Sequence, residues 1–191
     1  MNIFLTSTNP VIAAKSLDDL RLNKMILETG QLLSQAYRHL FGEHELLYKN
    51  THLNHPCAIW ARANTDNYYW LLIYFHSLNQ EKLARTNKQH KTFVNLFPIL
   101  SKKAFNTFWW RVGDIFPNFY CRDKFFTYCE NIKNFDFNCT NKKYLDLPIT
   151  LQYQLYLCEK WIFDKKNPTW KGTEMPNFAK TYANEILRER V

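Results

Sequence analysis

The chain is poor in glycine, with four residues in 191. A phosphate-cradling loop needs several glycines at fixed spacing, so neither a P-loop nor a dinucleotide-binding fingerprint can be built here. Cysteine is sparse and scattered: Cys57, Cys121, Cys129, Cys139 and Cys158 form an odd set with no Cys-x-x-Cys pair. That usage argues for reduced thiols in a cytosolic compartment, against a zinc site and against a disulfide framework. No metal and no cofactor is expected. No apolar run approaches the ~18 residues of a membrane span, and no signal-peptide pattern opens the sequence, so no membrane partner and a cytoplasmic location are expected. Internal repeats are also absent.

What remains is apolar and basic. Hydrophobic residues make up 46% of the chain, which excludes general disorder, and the length suits one domain with its own core over residues 1–191. The formal charge is +8 while 17% of residues are aromatic. Cations interleaved with rings suit a polyanion whose bases can stack, a nucleic acid or a nucleotide, although a basic balance also serves solubility alone. A monomer is expected.

The most informative stretch is Ser16–Tyr37, which the periodicity predicts as one long helix. Ser16 reads as its N-cap, with Asp19 completing a capping-box pattern. Leu22, Met25, Ile26, Leu32, Leu33 and Ala36 share a broad apolar face. Arg21, Lys24, Glu28 and Gln31 fall on a narrow second stripe, beyond which Leu20 and Leu27 turn the surface apolar again. A surface helix has one wide polar side. A thin charged ribbon between two apolar flanks points instead to charged groups held in a pocket. The competing reading is a partly exposed helix carrying an ordinary Lys24–Glu28 pair at i,i+4.

Around this helix the chain reads as all-α. An extended apolar segment, residues 1–8, ends in an Asn9-Pro10 turn. Met1 is expected to be retained because Asn2 is bulky, leaving an α-amine whose reference pKa is about 7.7–8.0. His39, His44 and His52 edge a polar loop without metal-ligand spacing. Asn54 or His55 caps a short helix begun by Pro56, on which Trp60 and Arg62 could hold a base and a phosphate, or simply pack. Thr65–Arg85, ringed by apolar residues, is the second central helix. Its exit carries Arg85, Lys88 and Lys91, a cluster suited to a phosphodiester backbone or to solvent. From Val94 to Leu147 the signal is weak: Pro98, Pro117 and Pro148 punctuate it, with short helices expected at Phe105–Arg111 and Asp123–Ile132. A clear helix, Ile149–Asp164, precedes a loop centred on Trp170 and Lys171, and a last helix is expected from Pro176 to Arg190. The architecture expected is a single compact helical domain built around the two long helices.

Ile3-Phe4-Leu5, the Leu17–Glu28 segment and Pro168-Thr169-Trp170-Lys171 resemble the pyrimidine dimer DNA glycosylases of the phage endonuclease V type. Asn54-His55-Pro56 followed by Trp60 resembles their bacterial and phage relatives. The resemblance implies an all-α fold and a DNA N-glycosylase with abasic-site lyase activity, acting on double-stranded DNA. It implies an α-amine nucleophile at Met1 and an assisting carboxylate at Glu28. Arg21 stands where the type enzyme has histidine, and Trp170 and Lys171 match a loop that contacts DNA. Leu27 stands where the type enzyme has arginine, so Lys24 is a candidate for that charge or for the amine itself. His55, Trp60, Arg62, Arg85, Lys88 and Lys91 complete the expected DNA- or ligand-binding set. Two other readings fit the same residues: a non-catalytic binder of nucleic acid or nucleotide, and an enzyme acting on free nucleosides.

Overall fold

The structure, a computed structural model, describes residues 2–107 and 135–181, with side chains over 2–102 and 135–181. The regular elements among these residues are helical: α1 (Pro10–Lys15), α2 (Asp19–Phe41), α3 (Pro56–Ala63), α4 (Thr65–Thr86), α5 (Lys91–Thr107), a 3-10 turn (Lys142–Tyr144), α6 (Ile149–Phe163) and the start of a last helix at residues 177–181. The all-α expectation holds, and the two long helices pack on each other at the centre.

The first turn of the long helix differs from the sequence reading. Asn9 and Pro10 do not make a simple turn: the Asn9 side chain accepts from the Val11 and Ile12 amides and starts α1. Ser16 closes α1, its hydroxyl bonded to the Ile12 carbonyl, and so cannot cap α2. Asp18 does that, accepting from the Leu20 and Arg21 amides. An aspartate cap places full negative charge at the positive end of the helix dipole. The helix then runs past Tyr37 to Phe41 and stops where Gly42 adopts φ 96°, a value that glycine reaches without strain.

Asn64 caps α4, its side chain accepting from the Asn67 amide. Apolar side chains line this helix on several sides, and Tyr68, Trp70, Tyr74 and Phe75 are fully enclosed. It ends at Asn87, whose left-handed φ of 55° lets its amide reach the Leu83 carbonyl at 2.8 Å. Pro98, expected to punctuate a weakly patterned stretch, lies inside α5. The missing amide is tolerated because Leu96 and Leu100 are fully buried on the core side while Pro98 faces solvent. The final helix begins at residue 177 rather than at Pro176. Of the helix expected at Phe105–Arg111, the part past residue 107 lies outside the described residues, as do Pro117, the helix expected at Asp123–Ile132 and the end of the last helix.

Candidate functional site

Three segments meet over the first half of α2: the start of the chain, α2 itself and α6. They enclose a cavity of about 390 Å³. Asn2 and Phe4 form one wall, and Leu20, Arg21, Lys24, Met25 and Glu28 rise from α2. Tyr156 and Lys160 come from α6, and Asp164 is the residue that follows its last turn. Arg21, Lys24 and Glu28 of the narrow polar ribbon expected on α2 therefore line this cavity, whereas Gln31 does not.

Glu28 sits at its inner end, with only 13% of its side chain exposed. The backbone amide of Asn2 donates to its Oε2 at 2.9 Å, and the Lys24 ammonium lies 3.6 Å from Oε1. This pins the start of the chain to a carboxylate on the long helix. The Asn2 side chain turns back to accept from the Ile3 amide at 2.8 Å, which fixes that entry. Met1, expected to supply the amine, lies outside the described residues.

Arg21 is buried between two carboxylates, 3.1 Å from Asp18 and 2.7 Å from Asp164. Burial works against its charge, yet the bonds to Asp164 and Asp18 win and raise its pKa further. Asp18 also accepts the Trp161 indole N–H at 2.9 Å, so the cap of α2, the arginine and α6 form one polar cluster. Arg21 is thus fixed in the wall with its charge offset by Asp18 and Asp164, whereas Lys24 is 67% exposed. Across the cavity the Lys160 ammonium lies 4.4 Å from the centre of the Tyr156 ring, which itself stacks on Phe4.

Tyr156, Lys160 and Asp164 were missed by the sequence reading. Their signal was available: they recur every four residues, one face of a helix. The stripe Leu151, Leu155, Cys158 and Ile162 drew the reading to the other side.

The expected DNA-binding residues separate into two groups. Trp60 is only 4% exposed and packs among Trp70, Phe135 and Phe137 at 4.8–5.8 Å, so it is a core residue and no base can stack on it. Arg85 is likewise no free phosphate ligand. Its side chain is 1% exposed and binds Asp19 at 3.0 Å, Glu81 at 2.9 Å and the Leu17 carbonyl at 2.9 Å. Arg62 is half-buried and donates to the Leu53 carbonyl. His55 caps α3, accepting the Cys57 amide. Trp170 packs edge-on against Trp161 and leans on the Ser16 carbonyl. Lys88, Lys91 and Lys171 are exposed. Lys88 and Lys91 flank the α4–α5 junction and do not line the cavity, whereas Lys171 lies beside the start of α2, where its amide meets Asp19.

Asn2 and Phe4, the carboxylates of Glu28 and Asp164, and the cations Arg21, Lys24 and Lys160 thus share one cavity of an all-α fold. Residues 1–95 match the family model for pyrimidine dimer DNA glycosylase, and this half of the chain belongs to that family. The match covers α1 to α4 and the first turn of α5. Searches of curated proteins and of solved structures return no match. Glu28, Arg21 and Lys24 fall inside the matched residues, while the α6 wall falls outside them.

Proposed function

We propose that the protein is a DNA N-glycosylase with associated abasic-site lyase activity, in which an amine and Glu28 act together at one sugar carbon of duplex DNA. The observation that carries this reading is the 2.9 Å bond from the Asn2 amide to Glu28. The α-amine of Met1 is three covalent bonds from that amide nitrogen, which confines it to within about 4 Å of it. An α-amine also titrates about 2–3 units below a lysine, so more of it is neutral and nucleophilic near pH 7. Lys24, 3.6 Å from Glu28, is the second candidate. Family membership supplies the substrate class.

The chemistry follows from these groups. As the N-glycosidic bond breaks, the base leaves with the bonding electrons and takes up a proton, and the amine bonds to C1′. Loss of an amine proton and opening of the sugar ring give an imine between chain and sugar. Removal of a proton from C2′ then expels the 3′ phosphate, and water cleaves the imine to return the amine. Glu28 is suited to stabilise the positive sugar and to relay protons, because a shielded carboxylate acts in lower dielectric than one in water. The target nucleotide has to leave the stack to reach a cavity of this size.

Borohydride trapping on an abasic duplex tests the reading. Reduction is expected to lock the protein to DNA through the residue-1 peptide, and acetylation of the α-amine is expected to abolish the adduct. An adduct on the Lys24 peptide would move the nucleophile. No adduct at all would overturn the lyase assignment.

A further inference from the structure

Cys57 and Cys139 are 82 positions apart, and the fold brings their sulfurs to 3.8 Å. Cys57 is buried in the first turn of α3, and Cys139 is half-exposed in irregular backbone that leads into the 3-10 turn. The His55 Nε2 stands 4.0 Å from the Cys139 sulfur. These three residues gather in one place, and both a metal ion and a thiol reaction could use them.

The histidine decides between the two. His55 Nδ1 accepts the Cys57 amide at 3.2 Å as the cap of α3. An accepting Nδ1 leaves the ring proton on Nε2, aimed at the Cys139 sulfur. A metal would need that same nitrogen bare, with Nδ1 donating outward to a second partner, the reverse of what the cap requires. Burial further keeps His55 neutral by lowering its pKa. The geometry thus offers a donor to a thiolate, with a second thiol in contact.

We propose that Cys57 and Cys139 are an oxidisable dithiol, with Cys139 as the thiolate that attacks a peroxide and Cys57 as the resolving thiol. The hydrogen bond from the Cys57 thiol pulls the Cys139 pKa below its ordinary value despite burial, helped by the Tyr153 hydroxyl. The same contact and burial push Cys57 up, so the two thiols take different roles. A low-pKa accessible thiol beside a resolving partner is the arrangement of redox-sensing cysteines.

The steps balance. The Cys139 thiolate attacks one peroxide oxygen, the O–O bond breaks, and the departing hydroxide leaves as water with a solvent proton. Cys139 is now a sulfenic acid. The Cys57 sulfur attacks it, forming the S–S bond, while the S–O bond breaks and the hydroxyl leaves as water with the Cys57 proton. Closing the pair from contact to a bond of about 2.05 Å moves the sulfurs together by about 1.8 Å, a shift that the irregular backbone at Cys139 can make. A thiol reductant reverses it. Oxidation also removes the Cys57 thiol from its 3.9 Å contact with the Asn2 side chain, next to the amide that holds Glu28.

The experiment treats the reduced full-length protein with one equivalent of hydrogen peroxide, blocks remaining thiols and maps peptides by mass spectrometry. A single linked pair, Cys57 with Cys139, is expected. Buried Cys158, whose pKa burial pushes up to about 12, serves as the internal control. At pH 7 Cys139 is expected to react with iodoacetamide at least about tenfold faster than Cys158. In Cys57→Ser, Cys139 is expected to stop at a sulfenic acid that dimedone captures. Cys139 unreacted, oxidised past sulfenic acid without a link, or joined to Cys121 or Cys129 in the wild-type protein would each overturn the proposal. So would one tightly held zinc ion that shields both thiols from peroxide. None of these readouts depends on base excision, so failure of the proposed glycosylase activity leaves this test intact.

Discussion

At the scale of single residues, the structure separates groups that line the cavity from groups buried in the packing between elements. Glu28 is shielded, has the chain start on one oxygen and Lys24 near the other, and opens on a cavity. Glu28→Gln keeps the shape and an oxygen for the Asn2 amide but removes the charge that would face a positive sugar. Base excision is expected to fall roughly 100-fold or more, about 2.7 kcal/mol, the scale of one electrostatic group. DNA affinity and thermal midpoint should stay close to the parent. Equal excision by a folded Glu28→Gln would remove Glu28 from the mechanism. His76 illustrates the opposite kind of residue. It lies against the rings of Phe93 and Phe97 at 5.4–5.8 Å, and burial pushes its pKa down from 6.5 to about 4. The unfolded chain binds this proton more readily, so the folded state loses stability as the pH falls from about 6.5 to 4, and regains it on the way up. The loss is about 3 kcal/mol at full protonation. Urea midpoints at pH 7 and pH 4.5 should show it, and His76→Gln should flatten that part of the profile. An identical acid loss in the variant would assign it to other groups.

At the scale of elements, the long helices were legible because their apolar residues recur with helical period over many turns. The boundaries were not. Several polar residues compete for the start of α2, and the neighbour decides: Ser16 is taken by α1, which leaves Asp18. The cavity was half legible. The α2 ribbon showed in the sequence, but its opposite wall comes from α6, more than a hundred residues on, and no local pattern joins the two. Trp60 and Arg85 were misread for one reason. Aromatic and cationic types suit a nucleic acid equally well as a core ring and a buried ion pair, and only packing tells these apart. Gly30 carries a further constraint that composition hides. A Cβ there would lie 2.6 Å from the Thr92 methyl and 3.1 Å from Leu96 of α5. Helix propensity alone favours alanine by about 1 kcal/mol. Overpacking against a stiff, β-branched Thr92 costs about 1–3 kcal/mol. Gly30→Ala is therefore expected to destabilise by about 1 kcal/mol, and Gly30→Val by more, in chemical denaturation. A stabilised Gly30→Ala would mean that α5 can step back from α2 at little cost.

At the scale of the whole molecule, the formal charge of +8 does not act as a uniform coat. Arg85 is spent inside, bridging the start of α2 and the body of α4 through Asp19 and Glu81, and Arg21 is held between Asp18 and Asp164. Asp19 binds Arg85 on one side and the Thr169 hydroxyl and Lys171 amide on the other. These bonds keep its pKa low although burial opposes them. Exposed cations stay available to phosphates, among them Lys24 on the cavity, Lys171 beside the start of α2, and Lys88 and Lys91 at the α4–α5 junction. DNA affinity should fall steeply with salt, by about 0.9 logarithmic units per logarithmic unit of salt for each phosphate contact. Replacing Lys24 and Lys171 by alanine should flatten that slope by about two contacts, as should replacing Lys88 and Lys91 if duplex DNA runs across both faces. Titrations of each double variant over a range of salt concentrations read the slope directly. An unchanged slope in one pair takes that face off the interface. Unchanged slopes in both, with wild-type affinity insensitive to salt, would mean that the cavity binds a small ligand rather than a duplex.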